Sequence, residues 1–388
     1  MEDQGAPDPR RTVVLLARHL DGSGGVTRSV SNLANALAGA GLDVSLVALF
    51  RRGRPRYELD ERIAVSYLRS LRPRALANLG PRAQALDARP SELCDPGEGM
   101  TALTDRRLET FLRELGPCTL VTHRPPLHQA AARWAPEHVV TLAVEHTSFE
   151  IREGYDIEAI TAALPSLDRL VLLTEENRAA WRAHLGSDDR LATIPNAVPM
   201  ALPTGRPRES WDAPVVVAAG TLMPLKGFDH LVRAFAPLVP ELPAWRLRIF
   251  GRGSERAPLE QLVADLGVGA SVELAGFTSS LEQEMLASSV YAISSSSEGL
   301  PMVMLEAMSA ALPVAALDCS GVRELVDDGS TGLLVPQGDE AALTDALRRL
   351  MTDTDLRRRF GLAGQALAAR YGPGSVAAQW RALIDQLA

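Results

Sequence analysis

Val215-Val216-Val217-Ala218-Ala219-Gly220-Thr221-Leu222-Met223-Pro224-Leu225-Lys226-Gly227-Phe228 sets a β-rich apolar run before a short loop and an amphipathic stretch over 228–239. That order reads strand, tight loop, helix. Lys226 is the single lysine of the chain, every other one of the 40 basic residues being arginine. An ammonium on a flexible stem in that loop can reach a phosphate at a helix N-terminus, where free N–H groups and the positive end of the helix dipole favour an anion. A solvated loop lysine in an arginine-favouring chain is the alternative.

Working outward, the same alternation of short apolar runs with helical-period stretches occurs twice. The first set of strand candidates is 12–17, 43–50, 64–68, 118–122, 139–144, 169–174 and 191–194; the second is 215–219, 246–250, 271–274, 290–294, 313–317 and 332–335. Strands separated by helices imply parallel α/β sheets. Between the sets, Pro195, Pro199, Pro203, Pro207 and Pro214 crowd a segment unsuited to regular structure, so the domain boundary is placed there. A chain of 388 residues is long enough for two cores. Residues 70–105 give the weakest pattern.

At 46% apolar and 23% charged the composition is that of a soluble globular protein. The polar, proline-containing start over 1–11 has no signal-peptide core, and no run approaches the roughly 18 apolar residues of a membrane span. The expected location is cytoplasmic. Cys94, Cys118 and Cys319 show neither paired nor metal-ligand spacing, so no structural metal is expected. A net charge of −8 argues against nucleic acid as a partner. One segment runs the other way: over 51–82, nine arginines face Glu58, Asp60 and Glu61, interleaved with Leu68, Leu71, Leu76 and Leu79. It reads either as a basic face for an anionic membrane surface or phosphate-bearing acceptor, or as a solvated connection.

In open parallel sheets ligands gather at the carboxyl ends of the strands. After the first strand comes Asp21-Gly22-Ser23-Gly24-Gly25-Val26, whose glycines let backbone N–H groups approach a phosphate or sugar. This is not the dinucleotide fingerprint, because threonine stands where its third glycine belongs. The most informative string follows 290–294: Ser295-Ser296-Ser297-Glu298-Gly299-Leu300-Pro301-Met302-Val303-Met304-Leu305-Glu306-Ala307-Met308. Pro301 suits the first turn of a helix, leaving Glu298 in the loop before it and Glu306 about a turn inside. The helix start between them offers N–H groups to a phosphate, and each carboxylate can accept from hydroxyls on either side. A nucleotide sugar has that layout. Capping by Glu298 and a surface position for Glu306 would explain either residue alone.

These residues resemble the retaining glycosyltransferases of family 4, and the resemblance spans nearly the whole chain. Glu298 to Glu306 looks like the family's E-x7-E motif, Lys226-Gly227 like its donor-phosphate lysine, and Phe250-Gly251-Arg252-Gly253 like its second glycine turn. The run 272–277 resembles the strand and turn near the base, with Gly321 to Glu324 and Gly332 to Pro336 completing the second half. In the first half Gly24-Gly25-Val26 matches the diphosphate loop, Glu145-His146-Thr147 the strand-end histidine, and Ile194 to Pro199 the lead into the linker. The resemblance implies the GT-B architecture: two Rossmann-like domains whose parallel sheets face across a cleft, with 1–197 on the acceptor side and 198–370 on the donor side. A C-terminal helix over 371–388, with Val376, Trp380, Leu383 and Ile384 at helical spacing, would cross back to the first domain.

The resemblance also implies roles. His146, Lys226 and Glu298 would be catalytic, His146 near the reacting face of the sugar, Glu298 on a sugar hydroxyl and Lys226 on the departing diphosphate. Donor contacts would come from Gly24, Gly25, Thr147, Thr221, Gly251, Arg252, Phe277, Gly299, Leu300, Pro301, Met302 and Glu306, with Glu306 on the ribose. No metal and no cofactor beyond the nucleoside diphosphate sugar is expected. The family usually carries arginine where this chain has Thr221, which removes a charge-assisted bond of roughly 1.5–3 kcal/mol unless a neighbour such as Arg252 supplies it. The expected activity is retaining transfer from a UDP-sugar to an acceptor hydroxyl in cell-envelope glycan or glycoconjugate synthesis. The acceptor stays open among a glycan, a glycerol-phosphate polymer, a lipid and a small metabolite. The rival readings are a non-catalytic nucleotide-sugar-binding relative and a sugar-nucleotide hydrolase or epimerase.

Overall fold

Seven strands, β1 (Thr12–Ala17), β2 (Asp43–Arg51), β3 (Ala64–Ser70), β4 (Thr119–Thr122), β5 (Val140–Glu145), β6 (Arg169–Leu172) and β7 (Leu191–Thr193), pair in parallel in the order β3-β2-β1-β4-β5-β6-β7. A second parallel sheet is built from β8 (Val215–Ala219), β9 (Arg246–Phe250), β10 (Val272–Gly276), β11 (Val290–Ile293), β12 (Val314–Leu317) and β13 (Gly332–Val335), in the order β10-β9-β8-β11-β12-β13. The computed structural model describes residues 11–22, 24–77, 79–94, 99–199 and 210–387. Two compact units result: one runs through Ala197 and takes in the chain from Pro373 onward, the other is Val198–Gly372. Pro203 and Pro207 of the proline-rich segment, the polar start over 1–10, and Ser23 lie outside the described residues.

Each strand falls where an apolar run stands in the sequence, with ends shifted by a residue or two. Helices cover both faces, so the central strands are buried on both sides and read as continuous apolar runs. All four residues of β11 and of β12 are buried. The helical stretch expected over 228–239 is divided into Phe228–Phe235 and Leu238–Glu241. Pro237 has no N–H to continue the first helix.

In the arginine-rich segment Arg51, Arg52, Arg54, Arg56, Arg62, Arg72, Arg74 and Arg82 are exposed. Arg69 is not part of that basic face: it is 5% exposed and pairs with Asp87 at 2.6 Å. Leu68 and Leu71 pack against the core of the first unit instead of forming an apolar stripe on the surface.

The last helix, Pro373–Leu387, packs on the first, Gly25–Gly39, within the first unit. Val376, Trp380 and Ile384 on its inner face are at most 2% exposed. Trp380→Ala is therefore expected to cost about 3–5 kcal/mol, the usual range for a buried large aromatic. Ending the chain at Gly372 should lower the melting temperature further, because the apolar face of Gly25–Gly39 is then opened to water. A truncated chain melting with the full-length one would refute this packing role.

Candidate active site

The strand β8 ends at Ala219, and the chain then turns through Pro224–Lys226 into the helix Phe228–Phe235. Gly227 sits between them at φ +56°, and a Cβ there would come within 2.3 Å of the Ser294 carbonyl oxygen. Glycine is what lets the Lys226 loop lie directly on the end of β11. Ser294 Oγ donates to the Lys226 carbonyl at 3.0 Å, and the Ser296 N–H to the Leu225 carbonyl at 2.9 Å. The result crosses 72 residues of sequence: Lys226 Nζ lies 2.6 Å from Glu298 Oε1, which also accepts from Ser295 Oγ at 2.6 Å. Both partners are sheltered, with side-chain exposures of 22% and 12%.

Past Glu298 the chain runs through Gly299 and the buried Leu300 to the helix Met302–Ser309. Pro301 is its N-cap, one position ahead of the first turn, and its carbonyl accepts from Met304 and Leu305. Glu306 lies one turn inside and is 1% exposed, so it is not a surface residue. Tyr291 on β11 reports on both carboxylates: burial pushes its phenol well up, and the charges of Glu298 and Glu306 push it further. Cys319 is also buried, and its thiol is pushed up to about 12, first by burial and then by Glu298. It is an inert thiol at neutral pH.

Gly251, at the end of β9, meets the same loop from the other side. A Cβ on Gly251 would lie 1.8 Å from the Gly220 carbonyl oxygen, and its φ of +154° is disfavoured for a side-chain-bearing residue. The Leu222 N–H donates to the Arg252 carbonyl at 3.0 Å, so the exposed Thr221 and Arg252 are carried on adjacent backbones. The Arg252 guanidinium lies over the Phe277 ring, 5.7 Å from its centroid. Lys226, Glu298 to Pro301, Thr221, Gly251, Arg252 and Phe277 thus all belong to the carboxyl-end loops of the second unit's sheet, and Met302 and Glu306 to the helix that follows.

In the first unit, Gly24 caps the helix Gly25–Gly39 in an extended conformation, and both Gly24 and Gly25 are exposed. His146 and Thr147 follow β5 directly. The Thr147 N–H donates to Glu145 Oε1 at 2.8 Å, and the same carboxylate pairs with Arg152. His146 Nε2 meets His123 Nδ1 at 3.0 Å, and His128 Nδ1 meets Thr122 Oγ1 at 2.6 Å. Burial lowers His123 to about 3; His146 and His128 are held well below the ordinary histidine value, each first by burial and then by His123. At neutral pH all three rings are uncharged, so one proton is shared across the His123–His146 contact. Sequence reasoning passed over His123, Ser295 and Tyr291. His123 was accessible to it, since it stands at the carboxyl end of β4 as His146 stands at that of β5. Among the described residues no group of three or more His, Cys, Asp or Glu side chains is placed to hold a metal ion. No described helix is long and apolar enough to cross a membrane.

Comparison with known proteins gives the family. Residues 206–366 match the family described as Glycosyl transferases group 1, and residues 23–202 match Glycosyltransferase Family 4. An exopolysaccharide phosphotransferase of Streptomyces coelicolor is 35% identical over 379 residues, which is 95% of this chain but 40% of the relative's own length. An uncharacterised glycosyltransferase of Haemophilus influenzae is 26% identical over 94% of this chain and 97% of its own. A structure of S. aureus TarM, solved with UDP and alpha-GlcNAc-glycerol among its ligands, superposes with a TM-score of 0.80 at 15% identity, covering 97% of this chain and 100% of that one. The chain belongs to glycosyltransferase family 4 and has the GT-B fold.

Proposed function

We propose that this glycosyltransferase moves a sugar from a UDP-sugar to an acceptor hydroxyl with retention of configuration and without a metal ion, in the assembly of a cell-envelope glycan or glycoconjugate. The observation that carries the reading is the Lys226–Glu298–Ser295 cluster at the start of the helix Met302–Ser309, with Glu306 buried one turn further on. A diphosphate brought to Lys226 competes with Glu298 for the ammonium, and the carboxylate so released can accept from a sugar hydroxyl. Glu306 is suited to the ribose diol, the backbone at Gly299 to Met302 to a phosphate, and Phe277 to the base. The Arg252 guanidinium takes the part that arginine at Thr221 would have played. In the first unit, Gly24 and Gly25 are assigned to the diphosphate, and His146 and Thr147 to the sugar.

No carboxylate is assigned as a nucleophile, so retention implies attack on the face from which the diphosphate leaves. The bond from the anomeric carbon to the diphosphate oxygen breaks, the acceptor oxygen bonds to that carbon, and the acceptor proton passes to the departing diphosphate. Lys226 and the helix dipole stabilise the charge that develops on the leaving group, the work a divalent cation does elsewhere. The relative named for exopolysaccharide and the TarM complex with UDP and alpha-GlcNAc-glycerol support the donor class and the envelope setting.

The test is thermal stabilisation by UDP, GDP and ADP sugars in EDTA, followed by NMR of the anomeric centre in the product. UDP-sugars are expected to raise the melting temperature, and Lys226→Ala and Glu306→Ala to abolish the rise. Free sugar released without transfer would mean a hydrolase. No stabilisation by any nucleotide sugar would leave Thr221 as the mark of a non-catalytic relative.

A further inference from the structure

Two histidines stand side by side just past the carboxyl ends of the paired strands β4 and β5: His123 and His146. The His123 main chain is tied to β1, its N–H donating to the Leu16 carbonyl at 3.2 Å. The turn that carries His146 is tied down by the Thr147 N–H, which donates to Glu145 Oε1 at 2.8 Å. Both rings are thus presented from fixed backbone, with His123 Nδ1 3.0 Å from His146 Nε2. Burial keeps both uncharged, so one of these two nitrogens donates and the other accepts.

The far side of His123 decides which. The residue is 1% exposed, and its Nε2 is buried without a hydrogen-bond partner among the described residues. The ring lines a recess with room for about one water molecule, walled by Leu33, Val144, Leu173 and Trp380. The polar side chains of that wall, Ser29 and Asn196, are bonded to each other. Orphaned buried N–H groups are rarer in folded proteins than under-used acceptors. Nε2 is therefore the bare nitrogen of His123, and its proton is on Nδ1. His146 Nε2 then accepts, and the single proton of that ring is on Nδ1. His146 is only partly buried, and Nδ1 is the nitrogen left to meet a ligand.

We propose that His123 is a positioning residue: by donating from Nδ1 to His146 Nε2 it fixes His146 as the Nδ1–H tautomer, which offers the donor sugar an N–H. This rests on the assignment of His146 to the sugar and deepens it, since the ring then donates to the sugar oxygen it meets and does not accept from it. The hydrogen bond at one ring nitrogen sets the role of the other. An uncharged donor also brings no positive charge to an anomeric carbon that gains cationic character as the diphosphate departs.

The test begins with the full chain, free of nucleotide and carrying isotope-labelled histidine, in long-range nitrogen–proton NMR spectra at neutral pH. Such spectra separate bare from protonated ring nitrogens, and His146 is assigned by the signals lost in His146→Gln. A protonated Nδ1 and a bare Nε2 are expected at His146, the less common form of a free neutral imidazole. In His123→Leu the His146 ring should revert to a mixture of the two forms, and kcat with a UDP-sugar should fall about tenfold or more while the donor KM stays within about threefold. His123→Asn keeps an amide N–H near the place of Nδ1–H and should restore the single form, with kcat within about threefold of wild type. The proposal is overturned by a bare Nδ1 at His146 in the wild type, by an unchanged His146 tautomer in His123→Leu, or by an asparagine variant no more active than the leucine one, which would mark lost packing alone. The wild-type spectrum needs no substitution, so it decides even where His123→Leu fails to fold. Unchanged turnover in His146→Ala would overturn instead the assignment of His146 to the sugar, and the ligand-free spectrum keeps that failure distinct.

Discussion

Lys226→Ala is expected to lower kcat with a UDP-sugar by about 10²–10³-fold, the usual cost of removing one preorganised donor from a developing anion. The same substitution leaves Glu298, whose side chain is 12% exposed, with Ser295 but without its cationic partner. Weakened donor binding should therefore accompany the slower step, as the orphaned carboxylate now repels the diphosphate. Lys226→Arg is the sharper experiment. In a chain that uses arginine at every other basic position, the lysine stands on a turn whose carbonyls accept from Ser294 and Ser296 and whose next residue admits no Cβ. A planar guanidinium is longer and wider than an ammonium and cannot occupy a point 2.6 Å from Glu298 Oε1 without moving that frame. Recovery of less than a tenth of the wild-type rate is expected from the arginine variant. Steady-state kinetics decide the matter: a Lys226→Arg enzyme at the wild-type rate, or an alanine variant within threefold of it, would remove Lys226 from the catalytic machinery.

The strand–loop–helix order was readable because buried parallel strands are continuous apolar runs and the loops at their carboxyl ends carry the glycines, serines and carboxylates. Gly220 to Gly227 and Ser294 to Glu306 announce themselves that way. Their meeting could not be derived from composition or period, since the Lys226–Glu298 contact depends on β8 and β11 being neighbours, and strand order across a crossover is a tertiary fact. The same reason hid the His123–His146 contact, which exists because β4 and β5 pair. Arg69 shows the limit from the other side. A charge run is read as solvated, yet the inward face of β3 carries this guanidinium among Asp87, Thr101 and Thr104. Nothing in the run itself distinguishes Arg69 from its exposed neighbours.

The first unit is expected to unfold in mild acid well before the second. His123 and His128 are 1% and 0% exposed, and both are held neutral by burial, His123 down to about 3. In the unfolded chain each takes up a proton near the ordinary histidine value of about 6.5. A depressed folded pKa means stability that is present above the unfolded value and lost as pH falls through the window below it. Each such ring then costs about 1.4 kcal/mol of stability per pH unit. Arg152 adds to the shift of His128, and Arg124 and Arg152 to that of His146, so nearby guanidiniums reinforce the effect. Glu145 opposes it. Burial raises its folded pKa, so the native state takes up a proton before the unfolded chain does, and acidification relieves part of the strain. With two fully buried rings against one carboxyl, a net loss on the order of 1.4–2.8 kcal/mol per pH unit between about pH 6 and 4 is expected. The second unit has a single histidine, His230, whose ring is partly exposed beside Glu340, so it holds no comparable set of buried rings. Hydrogen exchange read by mass spectrometry across pH 7.5 to 4 separates the units, because Val13 to Leu16 and Leu142 to Val144 report on one and Val216 to Ala218 and Val290 to Ile293 on the other. Loss of protection should begin in the first set, and His123→Gln with His128→Gln should flatten its pH dependence by about two protons. Equal loss in both sets, or an unchanged slope in the double variant, would show that the buried histidines do not set the acid stability of this unit.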